Sequence, residues 1–333
     1  LLEFNWRVLE QAKDPSVPLL ERLRYLAISS NNLDEFFEVR VASLIQKAEL
    51  GSTQAGPDNM SPMEILNAIS ERAHQIVDQQ YITLNDIIFP DLEKQGINFI
   101  RRGDWNKSQE NWVREYFRDE LSPILTPLGL DPAHPFPRIL NKSLNFIVEL
   151  KGKDAFGRQS DLAIVQAPRA LPRVIQLPKD ETDSGPHDFV FLSSIIHAYA
   201  DELFHGMTVQ GCYQFRVTRN SNLFVDEEEI EDLLRAVEGE LASRRYGDAV
   251  RLEIADNCPD NLVNFLLHRF EIPNRELFQI NGPVNLNRVE GVYDLIDKPE
   301  LKFPSFVPSI PTKLTGATNI FNAIKKSDIL LHH

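Results

Sequence analysis

The tetrad Ser29-Ser30-Asn31-Asn32 sets two hydroxyls and two carboxamides side by side between apolar stretches. Such groups have two uses. Asn32, with Glu35 three residues on, has the spacing of a helix N-cap with a capping box. Carboxamides converging with the unpaired N–H groups of a helix start also make a place to hold a ligand. One cap explains one asparagine and not the other three groups, so both uses stay open. Two further segments mix cations with hydroxyls and amides, the group types that bind phosphate oxygens. In Phe136–Asn145 these are Arg138, Asn141, Lys142, Ser143 and Asn145; in Phe215–Leu223 they are Arg216, Thr218, Arg219, Asn220 and Ser221. The plainer reading of each is a strand end closed by turn residues. His134 sits in a proline loop, Asp131–Pro137, where bonding to backbone is the simpler alternative to a site role.

Other chemistry is missing. The chain has no P-loop, HExxH, GxSxG, GxGxxG or kinase-type HRD and DFG set. Paired carboxylates such as Asp34-Glu35 and Glu227–Glu229 fall at helix starts, where capping and solvation account for them. Cys212 and Cys258 lie far apart and near no ligand-spaced histidine, which excludes a disulfide framework or zinc site and fits a reducing cytoplasm. The residues therefore contain no self-sufficient catalytic set.

Helices must position the tetrad. Residues 1–100 read as almost wholly helical. Leu19, Leu20, Leu23, Leu26 and Ala27 recur at helical spacing before the tetrad, and Leu33, Phe36, Phe37, Val41 and Leu44 after it, predicting two helices with a corner between. Ser61-Pro62 opens a long helix that reaches Phe89. From Arg101 the pattern changes. A helix over Gln109–Leu121 precedes Pro123, Pro127, Pro132, Pro135 and Pro137, which argue against regular structure there. Strand patterns follow at Leu144–Leu150, Leu162–Ala167, Arg173–Gln176, Phe189–Leu192, Tyr213–Thr218 and Val250–Ala255. Between them fall helices at Ser193–Leu203, Asp226–Arg244 and, last, Pro259–Phe270. The expected architecture is an all-α bundle (1–100), an α+β domain with a mainly antiparallel sheet (101–308), and a linker running into a further domain (309–333). The absence of an initial Met and the apolar strand start at Ile329–Leu331 suggest a piece of a longer protein.

The 333 residues are 42% hydrophobic and 25% charged, an ordinary globular balance, with no membrane-length apolar run and no signal peptide. The net charge of −14 argues against a nucleic-acid partner, though a polyanion can still be held if the cations line one channel.

Long segments in order resemble the bacterial polyphosphate kinase family: FNWRVLEQA (4–12), PLLERLRYLAISSNNLDEFFEVRVA (18–42), HPFPRILNKSLNFIV (134–148), FRVTRNSNLFVDEEE (215–229), RRYGDAVRLEI (244–254), then PVNLNRV, KFPSFVP and the closing DILLHH. The resemblance implies reversible transfer of the terminal phosphate of ATP, giving ADP, to inorganic polyphosphate through a phosphohistidine. That histidine and the Mg²⁺ ligands belong to C-terminal domains beyond His333, so the fragment alone is expected to be inactive. His332-His333 matches the motif ahead of those domains and is not the reactive pair. One residue carries over: Asn32 matches the asparagine that contacts adenine. The head domain implies dimerisation or higher assembly and a polyphosphate channel wall, with Arg138, Lys142, Arg216 and Arg219 as candidates. A cytoplasmic protein, or one peripheral at the inner membrane, is implied. The rival expectation is a non-enzymatic scaffold made of the same bundle and α+β module.

Overall fold

The computed structural model describes residues 1–51, 59–131, 135–153, 160–220, 247–305, 310–311, 314–316 and 319–330. The expected helix Asp226–Arg244 with its acidic run, His134 and His332-His333 lie outside them.

Helix α1 (Leu2–Lys13) packs along α2 (Leu19–Glu35). The expected corner is absent. α2 runs straight through the tetrad, enters a π-helical turn (Phe36–Val41) and continues as α3 (Ala42–Glu49). Asn32 is therefore no N-cap; it sits inside a helix, and its carbonyl accepts the Phe36 N–H. Bonds to neighbouring elements explain why these polar residues do not break it. Ser29 is fully buried and its hydroxyl accepts from Gln80 Nε2 at 2.9 Å, while Asn31 Oδ1 accepts from Asn287 at 2.6 Å. Polar side chains satisfied from outside need not compete for their own backbone.

α4 (Pro62–Ile82) opens on the expected Ser61 cap, with a complete Ser61/Glu64 capping box. A second π-helical turn, Thr83–Ile88, leads into α5 (Phe89–Lys94), so the helical run passes Phe89. Pro90 falls in the first turn of α5, where a missing N–H is tolerated. β1 (Asn98–Phe99) leaves the helical layer, and α6 (Lys107–Tyr116) starts at an Asn106/Gln109 capping box.

The sheet strands are β2 (Thr126–Gly129), β3 (Asn145–Gly152), β4 (Leu162–Gln166), β5 (Val174–Gln176), β6 (Asp188–Phe191), β7 (Met207–Arg219), β8 (Ala249–Ala255) and β9 (Leu277–Ile280). Six of them form one sheet in the order β2-β4-β3-β7-β8-β9, and β1-β6-β5 form a small second one. Pairing is mainly antiparallel, but β8–β9 and β1–β6 are parallel, so both sheets are mixed. β2 corrects the expectation of no regular structure among the prolines. It is an edge strand paired only to β4, and an edge has one side where Pro127 needs no N–H.

The large sheet is buried on both faces. Ile147, Ile164, Phe215, Val217, Leu252 and Ile254 pack on one side with the helix Asp260–Phe270. Phe146, Val148, Val165 and Phe278 face the other way and share a single core with Leu20, Leu33, Phe37 and Leu84 of the helices. The odd and even positions of β7 and β8 are thus split between two interiors, and the polar set Arg216, Arg251 and Glu253 is turned toward α2.

Candidate functional site

Asn32 is half-buried. It lines a cavity of about 290 Å³ with Phe4, Asn5, Glu35, Phe36 and Arg40, at the junction of α1, α2 and the first π-helical turn. Its Nδ2 donates to Asn5 Oδ1 at 3.2 Å, and Asn5 Nδ2 in turn donates to the Ser29 carbonyl at 2.9 Å. A carboxamide at the lip of a partly aromatic cavity offers one acceptor and a spare N–H to a flat polar ligand. Sequence spacing gave no reason to single out Asn5; only the packing of α1 on α2 brings it there.

Two residues further on, Asp34 is buried to 1% exposure. Arg216 reaches it from β7 with both terminal nitrogens, at 2.8 and 2.9 Å, and Arg251 of β8 adds a bond at 3.2 Å. Glu253 of β8, directly opposite Arg216 across the strands, pairs with both arginines. Arg251 also lies over the rings of Phe37 and Phe278, 5.1 and 4.8 Å from their centres. Burial pulls the Arg216 pKa down, but the charges of Asp34 and Glu253 outweigh it and raise it, so Arg216 stays charged. This corrects one candidate: Arg216 is 1% exposed and fully engaged by carboxylates, leaving no face for a phosphate chain. It ties the sheet to the helix bearing Asn32.

The other candidates divide. Lys142, held at a positive φ of 55°, places Nζ 2.9 Å from Glu38, and Asn141 donates to the same carboxylate at 2.6 Å. Its charge is met within the chain. Arg138 and Arg219 come together in a cleft of about 1120 Å³. Arg219 is braced by the carbonyls of Ile139 and Gly247, at 2.9 and 2.7 Å. Arg269 and Arg275 line the same cleft and were missed by sequence reading. Arg269 ends a helix and Arg275 sits in a short turn six residues on, both some fifty residues or more from Arg219 and Arg138, so only folding shows the grouping. Glu49, Asp248 and Glu271 also border it, and Arg275 pairs with Glu276 at 3.3 Å, so the wall is mixed in charge. Among the described residues no group of three or more His, Cys, Asp or Glu could hold a metal ion.

Comparison with known proteins decides what the chain is. The family model described as the polyphosphate kinase middle domain matches residues 108–292, and the one described as the polyphosphate kinase N-terminal domain matches residues 1–100. The chain belongs to the polyphosphate kinase family. Polyphosphate kinases of Pseudomonas syringae pv. tomato and Pseudomonas putida are 58% and 57% identical to it over 332 residues, all of this chain. These cover 45% and 46% of the relatives, so the chain spans about half the length of the curated polyphosphate kinases it matches. The crystal structure of polyphosphate kinase from Porphyromonas gingivalis superposes with a TM-score of 0.73 at 25% identity, covering 97% of this chain and 44% of that one. Nothing in these matches supports the rival scaffold reading. Among the described residues, no helix is long and apolar enough to cross a membrane.

Proposed function

We propose that this chain is the front part of an ATP:polyphosphate phosphotransferase, supplying the wall against which the adenine of ATP or ADP rests. The observation that carries the reading is the match of the whole chain, end to end, to polyphosphate kinases at up to 58% identity. The geometry supports it: Asn32 opens onto a cavity with Phe4 and Phe36, groups suited to an amide-edged aromatic base. Phosphoryl transfer through a phosphohistidine belongs to residues outside these 333. Mg²⁺ would neutralise the nucleotide phosphates there. The cleft that Arg138, Arg219, Arg269 and Arg275 line is the candidate polyanion surface of this portion, cations gathered in one place being what a net-negative chain needs to hold polyphosphate. A cytoplasmic enzyme assembling as a dimer or larger through the α+β portion completes the proposal.

The test is Asn32→Ala in the complete enzyme. Loss of one base contact worth about 1–3 kcal/mol raises the KM for ATP roughly tenfold. An unchanged KM with only a lowered melting temperature returns Asn32 to a purely structural role. The 333-residue chain alone is expected to make no polyphosphate from ATP; synthesis above background by the purified chain would place the chemistry inside it.

A further inference from the structure

Arg169, Arg173 and Arg288 gather at one corner of the small sheet. The Arg173 carbonyl accepts the Leu192 N–H at 3.0 Å, and Val174 and Ile175 beside it are buried, so its backbone is fixed. Its Nη1 donates to the Pro168 carbonyl at 3.3 Å, which holds the guanidinium beside the Pro168–Arg169 peptide. Arg169 donates in turn to the Asn141 carbonyl. Arg288 arrives from the 3₁₀ turn Leu286–Val292. Leu286, Val289 and Val292 are buried at the spacing of three that such a turn requires, and Arg288 is left exposed. Arg173 lines one small void with Asn285 and Val289, which brings Arg288 near it. Asn287 Nδ2 donates to Asn31 Oδ1 at 2.6 Å and ties this turn to α2.

None of the three arginines forms an ion pair among the described residues. The nearby carboxylates are engaged elsewhere. Glu290 of the same turn lies 3.2 Å from Arg24, and Glu38 holds Lys142 and Asn141. No other acid falls within 166–177 or 281–292. The half-buried Arg173 therefore carries its charge beside two like charges. Burial first, then Arg288 and Arg169, pulls its pKa down to about 10, whereas the carboxylates beside Arg216 raise that one. Cations brought together without a counter-charge cost free energy until an anion joins them. Guanidinium forks match phosphate oxygens, two N–H donors at a time. We propose that Arg169, Arg173 and Arg288 form a binding site for a phosphate oxyanion, either free inorganic phosphate or one unit of a phosphate chain. The bound anion balances the three charges and braces the Leu286–Val292 turn, and with it α2, against β5. None of the three lines the Arg138 and Arg219 cleft, and the assignment stands on this geometry without the transfer reaction.

The test uses the 333-residue chain, with orthophosphate and tripolyphosphate as probes and sodium chloride at matched ionic strength as the control. A bound probe should raise the thermal midpoint, and chloride should not. Titration then names the source. Tripolyphosphate binding about tenfold or more tighter than orthophosphate marks a chain unit as the occupant, and a smaller preference marks free phosphate. Arg173→Gln and Arg288→Gln should each weaken the probe about tenfold. Without a probe, Arg288→Gln should melt no earlier than the wild type, because it removes a like charge. An arginine that served the fold alone would melt earlier when replaced and leave the probe's effect unchanged. Arg118→Gln makes the same charge change at the exposed pair with Glu202 and should bind as the wild type does. The site is overturned if neither probe moves the midpoint, if the shift survives both cluster variants, or if Arg269→Gln in the cleft abolishes it instead.

Discussion

Arg216→Leu is expected to destabilise the chain by about 3–5 kcal/mol, read as a fall in the denaturant midpoint. The side chain it removes answers two carboxylates that are almost wholly buried, Asp34 and Glu253. Only Arg251 would remain to balance both. A carboxylate stranded in a dry core costs far more than the pair is worth when intact, because desolvation is no longer offset. For the same reason, replacing Asp34, Arg216, Arg251 and Glu253 together with apolar residues of similar volume should cost much less than Arg216→Leu alone. An exposed pair makes the contrast. Arg118 reaches Glu202 at 2.7 Å from a side chain that is 58% exposed, and Arg118→Ala should leave the midpoint nearly unchanged. If Arg216→Leu behaves like Arg118→Ala, the buried cluster does not hold the helices to the sheet.

Residues 1–100 made alone are expected to show no cooperative thermal transition. The family model boundary at residue 100 suggests a separable unit, but the packing does not respect it. α4 is sewn to the segment after β8: Ser70 donates to the Arg275 carbonyl at 2.7 Å, Tyr81 donates to Pro283 at 2.7 Å, and His74 stacks on Phe278 with ring centres 4.1 Å apart. Asp34 would lose both arginines, and Leu33, Phe37 and Leu84 would lose the sheet that covers them. Exposing that much apolar surface removes the dominant favourable contribution to folding. Circular dichroism on the isolated segment checks this. A sharp transition within a few degrees of that of the whole chain would show that the helical layer holds itself together.

Much of the architecture was legible because local patterns repeat. Helical spacing located the α1–α4 layer, and alternation located β3, β4 and β8 to within a few residues but only the second half of β7, Tyr213–Thr218 of Met207–Arg219. β9 escaped notice because four residues beside a turn carry too little alternation, and β2 because an edge strand tolerates the proline that usually argues against one. The Ser/Asn tetrad misled for a related reason. Small polar residues between apolar helices have the pattern of a cap when they bond locally, and here they bond across to Gln80, Asn5 and Asn287.

Composition and periodicity were enough for the fold class, and long distinctive segments were enough for the family. Neither could separate the cations. In Phe215–Thr218 the apolar and polar residues alternate as they would on a sheet with one wet face, and that pattern is the same whether the polar face meets water or another layer. The helices cover it, so Arg216 becomes a buried anchor while Arg219, three residues along, lines an open cleft with Arg138, Arg269 and Arg275. The pairing of Asn5 with Asn32 has the same origin. A side chain's partners 27 positions away are set by how two helices pack, and no spacing within either one records it.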